Sequence, residues 1–215
     1  ESIQELLYDI PSQNSYVGIK ALKNSDVLTA VSIIAGDIAR FPIIKKDSDG
    51  NIVQDEKLNY LMNVKSTERT TAHMWKFAMA VNAILCGNGY SRILRDPVSK
   101  EPLEYEFYPP SAVSIESDDN FESYHYMFYP PNGNRQIKCE AEDVIHWKFF
   151  TTDTIYGRSP LLSLTDEINL QDSSIATLQK YNRDGFSSGI LKMQGAQVSP
   201  EARMKTQKKK KKSRE

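Results

Sequence analysis

The chain has little cysteine and no long apolar run. Of its 215 residues only Cys86 and Cys139 are cysteines, and neither has a second cysteine or a histidine at metal-binding spacing. This usage is typical of a reducing compartment in which thiols pack as small apolar side chains, so a disulfide between them is the less favoured alternative. No stretch approaches the roughly 20 apolar residues of a membrane-spanning helix, and no signal-peptide pattern is present, so we expect no membrane partner.

Positive charge is also scarce outside one short segment. Residues 1–202 contain 19 basic and 27 acidic residues, a net charge of −8, whereas residues 203–215 contain eight basic residues and one acid. An acidic body repels DNA phosphates at long range. The composition therefore argues against a conventional DNA-gripping surface.

The ends of the chain are unusual. The first residue is Glu1 instead of methionine, and the sequence finishes in a lysine run with no apolar periodicity. Residues 203–215 are open to three interpretations: a nucleic-acid or localisation patch, a solvated disordered tail, or the product of truncation or frameshift. We favour the third, and we expect the chain to be a fragment.

Apolar periodicity predicts two helices in the first half of the chain. Asn24 or Ser25 caps a helix over 26–40, which Pro42 ends, and Thr70 or Thr71 caps a helix over 71–85, which is followed by the stop at Gly87. The first helix is expected to bury Val27, Val31, Ile34, Ile38 and Phe41, and the second Met74, Phe77, Ala78, Val81 and Leu85.

The middle of the chain alternates with a period of two, which is typical of strands. Residues 43–46 are predicted to form a strand before a turn at 47–51; those aspartates mimic an EF-hand loop, but the glycine is misplaced and the terminal Glu is missing. An antiparallel meander is expected over 90–95, 103–108, 113–116, 124–129, 135–139 and 144–149. Helices combined with such strands give an α+β fold.

A long helix is predicted after the strands. Ser159 caps it, Pro160 takes the first helical position, and it ends near Gly185 after about 25 residues, or roughly 37 Å. Apart from a narrow apolar stripe its surface is polar, which favours contact with water or a neighbouring subunit. The positions predicted to face such a subunit are Asp166, Asn169, Gln171, Asp172, Lys180 and Arg183.

No catalytic, cofactor or metal site is predicted. Gly87-Asn-Gly lacks the lysine of a phosphate loop and follows a helix instead of opening one. Asp143 and His146 would lie on opposite faces of a strand, so a structural role is favoured for them and for Glu142. Ser187-Ser-Gly lacks the frame of a nucleophile elbow. Trp75 and Trp147 are predicted to be core residues.

Several short motifs occur in a fixed order. They are Ile38-Ala-Arg-Phe-Pro at the end of an apolar helix, Gly87-Asn-Gly-Tyr, Glu142-Asp-Val-Ile-His-Trp, Gly157-Arg-Ser-Pro-Leu and Gly185-Phe-Ser-Ser-Gly-Ile-Leu. Each is weak alone, but the order and spacing resemble tailed-phage portal proteins, in the branch of the HK-type siphophages. The resemblance covers about residues 24–191.

The resemblance implies a subunit of a ring, typically twelve-fold, at one capsid vertex. Double-stranded DNA would pass through the ring, and the partners would be the terminase large subunit, the head-tail connector and the capsid proteins. The chain would be found in the virion, and in the host cytoplasm during assembly or when expressed from a prophage gene. The resemblance also implies four segments in chain order. They are an N-terminal arm over 1–23, a wing-like α+β domain over 24–158, a stem helix over 159–186 and the start of the clip over 187–202. By the same resemblance, we expect the remaining clip, second stem helix, tunnel loop and crown to be missing from this fragment.

Two alternatives remain open at this stage. One is a phage-encoded hydrolase that uses His146 or Glu142. The other is a monomeric nucleic-acid-binding module that uses the lysine-rich tail, for which DNA binding would be sensitive to salt.

Overall fold

The computed structural model describes residues 18–117, 124–130 and 135–184, which fall into two units, 18–168 and 169–184. The described residues form α-helices and antiparallel strands, so the α+β fold class is confirmed. The helices are α1 Ser25–Arg40, α2 Glu56–Asn63, α3 Ala72–Cys86 and α4 Thr165–Asp184; the strands are β1 Asn88–Arg95, β2 Pro102–Tyr108, β3 Val113–Ser117, β4 Tyr124–Phe128, β5 Ile137–Cys139 and β6 Val144–Lys148.

The ends of α1 follow from local chemistry. Asn24 Oδ1 accepts hydrogen bonds from the amides of Asp26 at 3.0 Å and Val27 at 3.2 Å, which satisfies the first amides of the helix. Phe41 has extended backbone angles because Pro42 follows it. The predicted helix is confirmed, with its start one residue earlier than expected.

The predicted buried face of α1 is wrong for three of its residues. Val27, Val31, Ala35 and Ala39 are buried, whereas Ile34, Ile38 and Phe41 are exposed. The buried line faces α3, in which the small residues Ala80 and Ala83 are also buried. Small side chains allow two helices to approach closely, so alanines instead of isoleucines occupy the contact.

Helix α3 is buried on more than one side because it packs against both α1 and a sheet. Thr71 Oγ1 caps it by accepting from the Met74 amide at 3.2 Å. Met74, predicted to be buried, is instead exposed, and the deepest positions include Trp75, Met79 and Leu85. An amphipathic pattern with one face does not describe a helix enclosed in this way.

Lys76 is a buried cation in α3. Its Nζ donates to the carbonyl oxygen of Phe41 at 2.7 Å, just beyond the end of α1, and burial lowers the pKa of its ammonium group. The contact joins the beginning of α3 to the end of α1. Val27 and Val31 pack with Ile84 near the other end of α3, so the two helices run antiparallel.

The strands form two three-stranded antiparallel sheets in the orders β2-β1-β6 and β3-β4-β5. The predicted continuous meander is therefore wrong at two steps, because β3 does not pair with β2 and β6 does not pair with β5. Strand β6 leaves β5 and returns to β1, where His146 pairs with Tyr90 and Trp147 with Gly89. Local alternation predicts each strand but contains no information on this long-range pairing.

The core of the first unit is rich in aromatic residues. Trp75 packs against Tyr105 and Trp147, and its Nε1 donates to Ser91 Oγ at 2.9 Å. This contact confirms the core roles predicted for both tryptophans, although Trp147 is only partly buried. A second cluster joins the sheets through Tyr90, Tyr126, Phe128 and other residues. Cys86 and Cys139 are free thiols, and burial raises the pKa of each.

The turn predicted at 47–51 is confirmed. Asp47 Oδ1 accepts from the amides of Asp49 and Asn51, and Gly50 has a positive φ of 86°. The carboxylate therefore closes the turn. The strand predicted at 43–46 is reduced to a single bridge between Lys46 and Ile52.

Some predictions lie outside the described residues, namely those on 1–17, on the helix end at 185–186, on the clip sequence over 187–202 and on the tail over 203–215. Within the described ranges, none of the helices combines the length and apolar character needed to cross a membrane. Those same ranges contain no cluster of three or more His, Cys, Asp or Glu side chains that could hold a metal ion.

Candidate assembly site

Three of the sequence motifs meet at one junction in the first unit. Helix α3 ends at Gly87, whose φ of 84° is the left-handed conformation that favours glycine. The chain then enters β1, and the segment around Gly157 returns to the same place after β6. This junction lies immediately before the segment that leads into α4.

The backbones of Gly87 and Gly157 are in direct contact. A Cβ atom built on either residue would lie less than 3.0 Å from the carbonyl oxygen of the other. Gly89 is similarly confined, because its Cβ would lie 2.6 Å from the carbonyl oxygen of Met79. The first and last glycines of Gly87-Asn-Gly, and Gly157 opposite them, are therefore required by close backbone approach.

Asn88 joins the two segments with a reciprocal pair of hydrogen bonds. Its Nδ2 donates to the Gly157 carbonyl at 2.9 Å, and its Oδ1 accepts from the Gly157 amide at 2.7 Å. The side chain is buried, so if either bond were lost its donor and acceptor could not form a hydrogen bond to water instead. Asn88 thereby acts as a clamp across the junction.

His146 completes the network from β6. Its Nε2 lies 2.9 Å from Asn88 Oδ1, and its Nδ1 lies 3.1 Å from the hydroxyl of Tyr126. Because Asn88 Oδ1 is an acceptor, His146 Nε2 must carry the proton, and Nδ1 then accepts from the tyrosine. The geometry thus assigns His146 one neutral tautomer, with both ring nitrogens used structurally.

Burial lowers the pKa of His146 to about 3, and Lys148 adds a smaller electrostatic contribution in the same direction. In the unfolded chain its pKa is about 6.5, so the unfolded state binds more protons between these values. The contribution of His146 to stability is complete above pH 6.5 and is lost progressively as the pH falls toward 3.

We therefore expect the wild-type chain to lose up to about 1.4 kcal/mol of unfolding free energy per pH unit below 6.5 relative to the His146→Gln variant. Urea unfolding of both proteins at pH 7.5, 6 and 5 measures the difference. Carboxylates titrate in both proteins, so their contributions cancel. Parallel pH profiles would contradict the locked neutral histidine.

Ser159 connects the junction to the next helical turn. Its Oγ donates to the Ile84 carbonyl at 2.8 Å, near the end of α3, and accepts from the Leu161 amide at 3.2 Å. The cap predicted for Ser159 is confirmed, but it caps a 3-10 turn, Pro160–Leu162, and α4 begins only at Thr165. The predicted start of the α-helix at Pro160 is corrected accordingly.

Glu142 and Asp143 do not form an active site with His146. Arg95 Nε pairs with Asp143 Oδ1 at 2.6 Å, and Arg95 Nη2 donates to the carbonyl oxygen of Glu142 at 3.0 Å. These residues fix the entry to β6 against the end of β1. The structural interpretation is supported, and Arg95 and Asn88 are partners that the sequence alone did not reveal.

Helix α4 has 20 residues, or roughly 30 Å, and two different flanks. Leu170, Ile175, Leu178 and Tyr181 are exposed apolar residues that helical spacing places on one side. On the other side are five of the six residues predicted to face a neighbour: Asp166, Lys180 and Arg183, which are exposed, and Asn169 and Asp172, which are partly exposed. Gln171, the sixth, is on the apolar side and is also partly exposed.

The family model for the phage portal protein matches residues 25–215. Among solved structures, the chain is similar to the neck of an empty gene transfer agent particle computed with C6 symmetry, with a TM-score of 0.61, 14% identity, and coverage of 90% of this chain and 54% of that one. The neck of the native particle computed with C12 symmetry gives a TM-score of 0.57, 18% identity and coverage of 90% and 54%.

An HK97 family phage portal protein from Corynebacterium diphtheriae is also similar, with a TM-score of 0.54, 13% identity, and coverage of 86% of this chain and 57% of that one. At these identities the likeness is one of fold. The chain spans about half the length of the structures that it matches. No curated protein matches the chain in sequence.

Proposed function

The chain belongs to the phage portal protein family, and on that premise we propose that it is a non-enzymatic subunit of a homo-oligomeric ring at one capsid vertex. The ring would be the conduit for double-stranded DNA during packaging and ejection. The observation that carries the proposal is the family match over residues 25–215. The junction at Gly87 and Gly157 supports it, because it gives the segment leading to α4 a fixed attachment.

We propose a twelve-fold ring in which α4 provides lateral contacts. One similar structure is a particle neck computed with C12 symmetry. In a cyclic ring each subunit presents two different surfaces, one to each neighbour. The two flanks of α4 meet that requirement, with Leu170 and Leu178 on one side and the charged residues Asp172, Lys180 and Arg183 on the other.

The charge of the chain favours a passage that does not hold DNA. Residues 1–202 carry a net charge of −8, and a surface that binds DNA needs Lys and Arg to displace counterions from the phosphates. A weakly adhesive subunit lets the duplex slide. Force would come from a separate ATPase, the terminase large subunit, which would dock on the ring.

The remaining parts of the proposal follow from the same role. Head-tail connector and capsid proteins are the other expected partners, and the chain would be found at the portal vertex of the virion and in the host cytoplasm during assembly or from a prophage gene. No cofactor or membrane is involved.

A direct test is the mass of the purified chain by native mass spectrometry, with ring images from negative-stain microscopy. We expect a ring for the wild type and at least about tenfold weaker association for the Lys180→Glu, Arg183→Glu variant, because the reversal puts two more acids on a face that would meet a subunit whose residues 1–202 already carry a net charge of −8. Lys100→Glu, on the turn between β1 and β2, is the matched control. A wild-type monomer at all concentrations would overturn the proposal.

The two alternatives have less support. A hydrolase using His146 or Glu142 is disfavoured because His146 is locked in a neutral tautomer between Tyr126 and Asn88 and has no contact with Glu142 among the bonds described above. A monomeric nucleic-acid-binding module would give a monomer in the mass measurement and DNA affinity that falls steeply with salt and disappears on deletion of 203–215.

A further inference from the structure

The outer face of α1, opposite its buried line, carries apolar residues between two charges. Ile33, Ile34 and Phe41 are 59%, 45% and 70% exposed. Helical spacing places Asp26 near the beginning of this face and Arg40 near its end, and both are exposed. An exposed apolar surface with a polar rim is typical of a contact with another protein.

Helix α4 has a matching edge where its apolar and charged flanks meet. Helical spacing places Asp166, Leu170 and Lys180 on this edge, and all three are exposed. The charges have the same order as in α1, with the acid in the first turn and the base near the end. Their separation is also the same, because Asp26 and Arg40 are 14 positions apart and so are Asp166 and Lys180. That separation is roughly 21 Å along each helix.

We propose that the outer face of α1 packs antiparallel against this edge of α4 in a neighbouring copy of the chain, with Asp26 opposite Lys180 and Arg40 opposite Asp166. The inference rests on the proposed ring and specifies the surface that α4 contacts in it. Each subunit then gives its α1 to one neighbour and its α4 to the other, which is the head-to-tail contact that a cyclic ring requires.

Charge selects the antiparallel direction. In that direction both end pairs have opposite charge, whereas a parallel arrangement with the same overlap would place Asp26 beside Asp166 and Arg40 beside Lys180. Like charges at a contact weaken association, so the parallel arrangement is disfavoured. The helix dipoles act in the same sense, because each positive N-terminal end lies beside a negative C-terminal end. The ion pair of Arg40 with Asp37, at 3.5 Å, is exposed and contributes little, so it does not oppose the new pairing.

The same register brings apolar groups together. Ile33 lies level with Ser173, whose small side chain leaves room for it, and Leu170 lies within one turn of Ile33 and Ile34. Leu170 is 68% exposed in a single copy. The contact therefore removes apolar surface from water on both helices.

Carbodiimide cross-linking tests the contact in the chain without substitutions. The reagent joins a lysine amine to a carboxylate that it touches, and co-assembly of isotope-labelled and unlabelled chains identifies links between copies by their mass. We expect a Lys180–Asp26 link of mixed isotope composition. Lys180→Arg is the control, because arginine keeps the charge and removes the reactive amine, so the ring should persist while the link disappears.

The outcomes distinguish this contact from the proposed function. A ring without the mixed Lys180–Asp26 link, or with that link only within single chains, would overturn the contact and leave the ring standing. A chain that is monomeric at all concentrations would overturn both.

A charge exchange at the other end of the contact gives an independent result. Arg40→Glu is expected to weaken association by at least about tenfold in native mass spectrometry, and the addition of Asp166→Lys to recover most of that loss. Asp172→Lys is the matched control, because it changes the net charge equally but lies roughly 120° around α4 from Asp166. It should recover little. Equal recovery by the two lysines, or none by Asp166→Lys, would overturn the contact.

Discussion

Replacing Gly157 by alanine is expected to destabilise the chain by roughly 3 kcal/mol or more, or to prevent folding. The new Cβ would lie less than 3.0 Å from the Gly87 carbonyl oxygen and 3.1 Å from Asn88 Oδ1. The Gly87 carbonyl is backbone, and the Asn88 side chain is held in place by its buried hydrogen bonds to Gly157, so the two backbones must separate. Overpacking of this kind costs about 1–3 kcal/mol, and loss of the Asn88 hydrogen bonds adds about 1–3 kcal/mol.

The matched control is Gly36→Ala. Gly36 lies in α1 with nothing within 4 Å of a built Cβ, so alanine is expected to be neutral or to stabilise the helix by up to about 1 kcal/mol. Urea unfolding followed by tryptophan fluorescence measures both variants. A Gly157→Ala protein as stable as the wild type would show that the two glycine backbones are not in contact.

Leu178→Asp is expected to abolish ring assembly while leaving the subunit folded. Leu178 is exposed on the apolar flank of α4, and full burial of a leucine at a subunit contact is worth about 1.5–3 kcal/mol. Replacement by a carboxylate removes that gain and adds a desolvation cost. Association at each contact should fall by at least about 10- to 100-fold, and every contact of a ring carries the change.

Leu103→Asp is the control for this variant, because Leu103 is an exposed leucine on β2 and not on α4. Native mass spectrometry gives the assembly state, and circular dichroism at the same concentration shows whether the helices persist. If Leu178→Asp assembles like the wild type, the apolar flank of α4 is not a subunit contact, and the charged flank would have to account for association alone.

Local chemistry explains why the ends of the early helices could be predicted from the sequence. Asn24, Thr71 and Gly87 act within three residues of themselves, and Pro42 acts on the residue before it. Those effects do not depend on the rest of the fold. The same is true of the turn closed by Asp47 and Gly50.

The buried faces and the junction depend on distant residues and could not be predicted in this way. Ile34 and Ile38 have the right spacing for a core face, but the packing of α1 against α3 selected Ala35 and Ala39 instead. Similarly, nothing near Asn88 indicates that its partners are His146 and Gly157. Their proximity appears only when β6 is known to pair with β1.

The contact between the backbones of Gly87 and Gly157 also affects when the polypeptide can finish folding during its synthesis on the ribosome. The two glycines are 70 positions apart, which at about 5–20 residues per second corresponds to a delay of roughly 4 to 14 seconds during synthesis. Until Gly157 emerges, the side-chain amide of Asn88 has only the local carbonyl of Cys86, at 3.3 Å, to bind. The last step of folding therefore waits for a contact of high sequence separation. Completion of this subunit is therefore limited by the arrival of its later half.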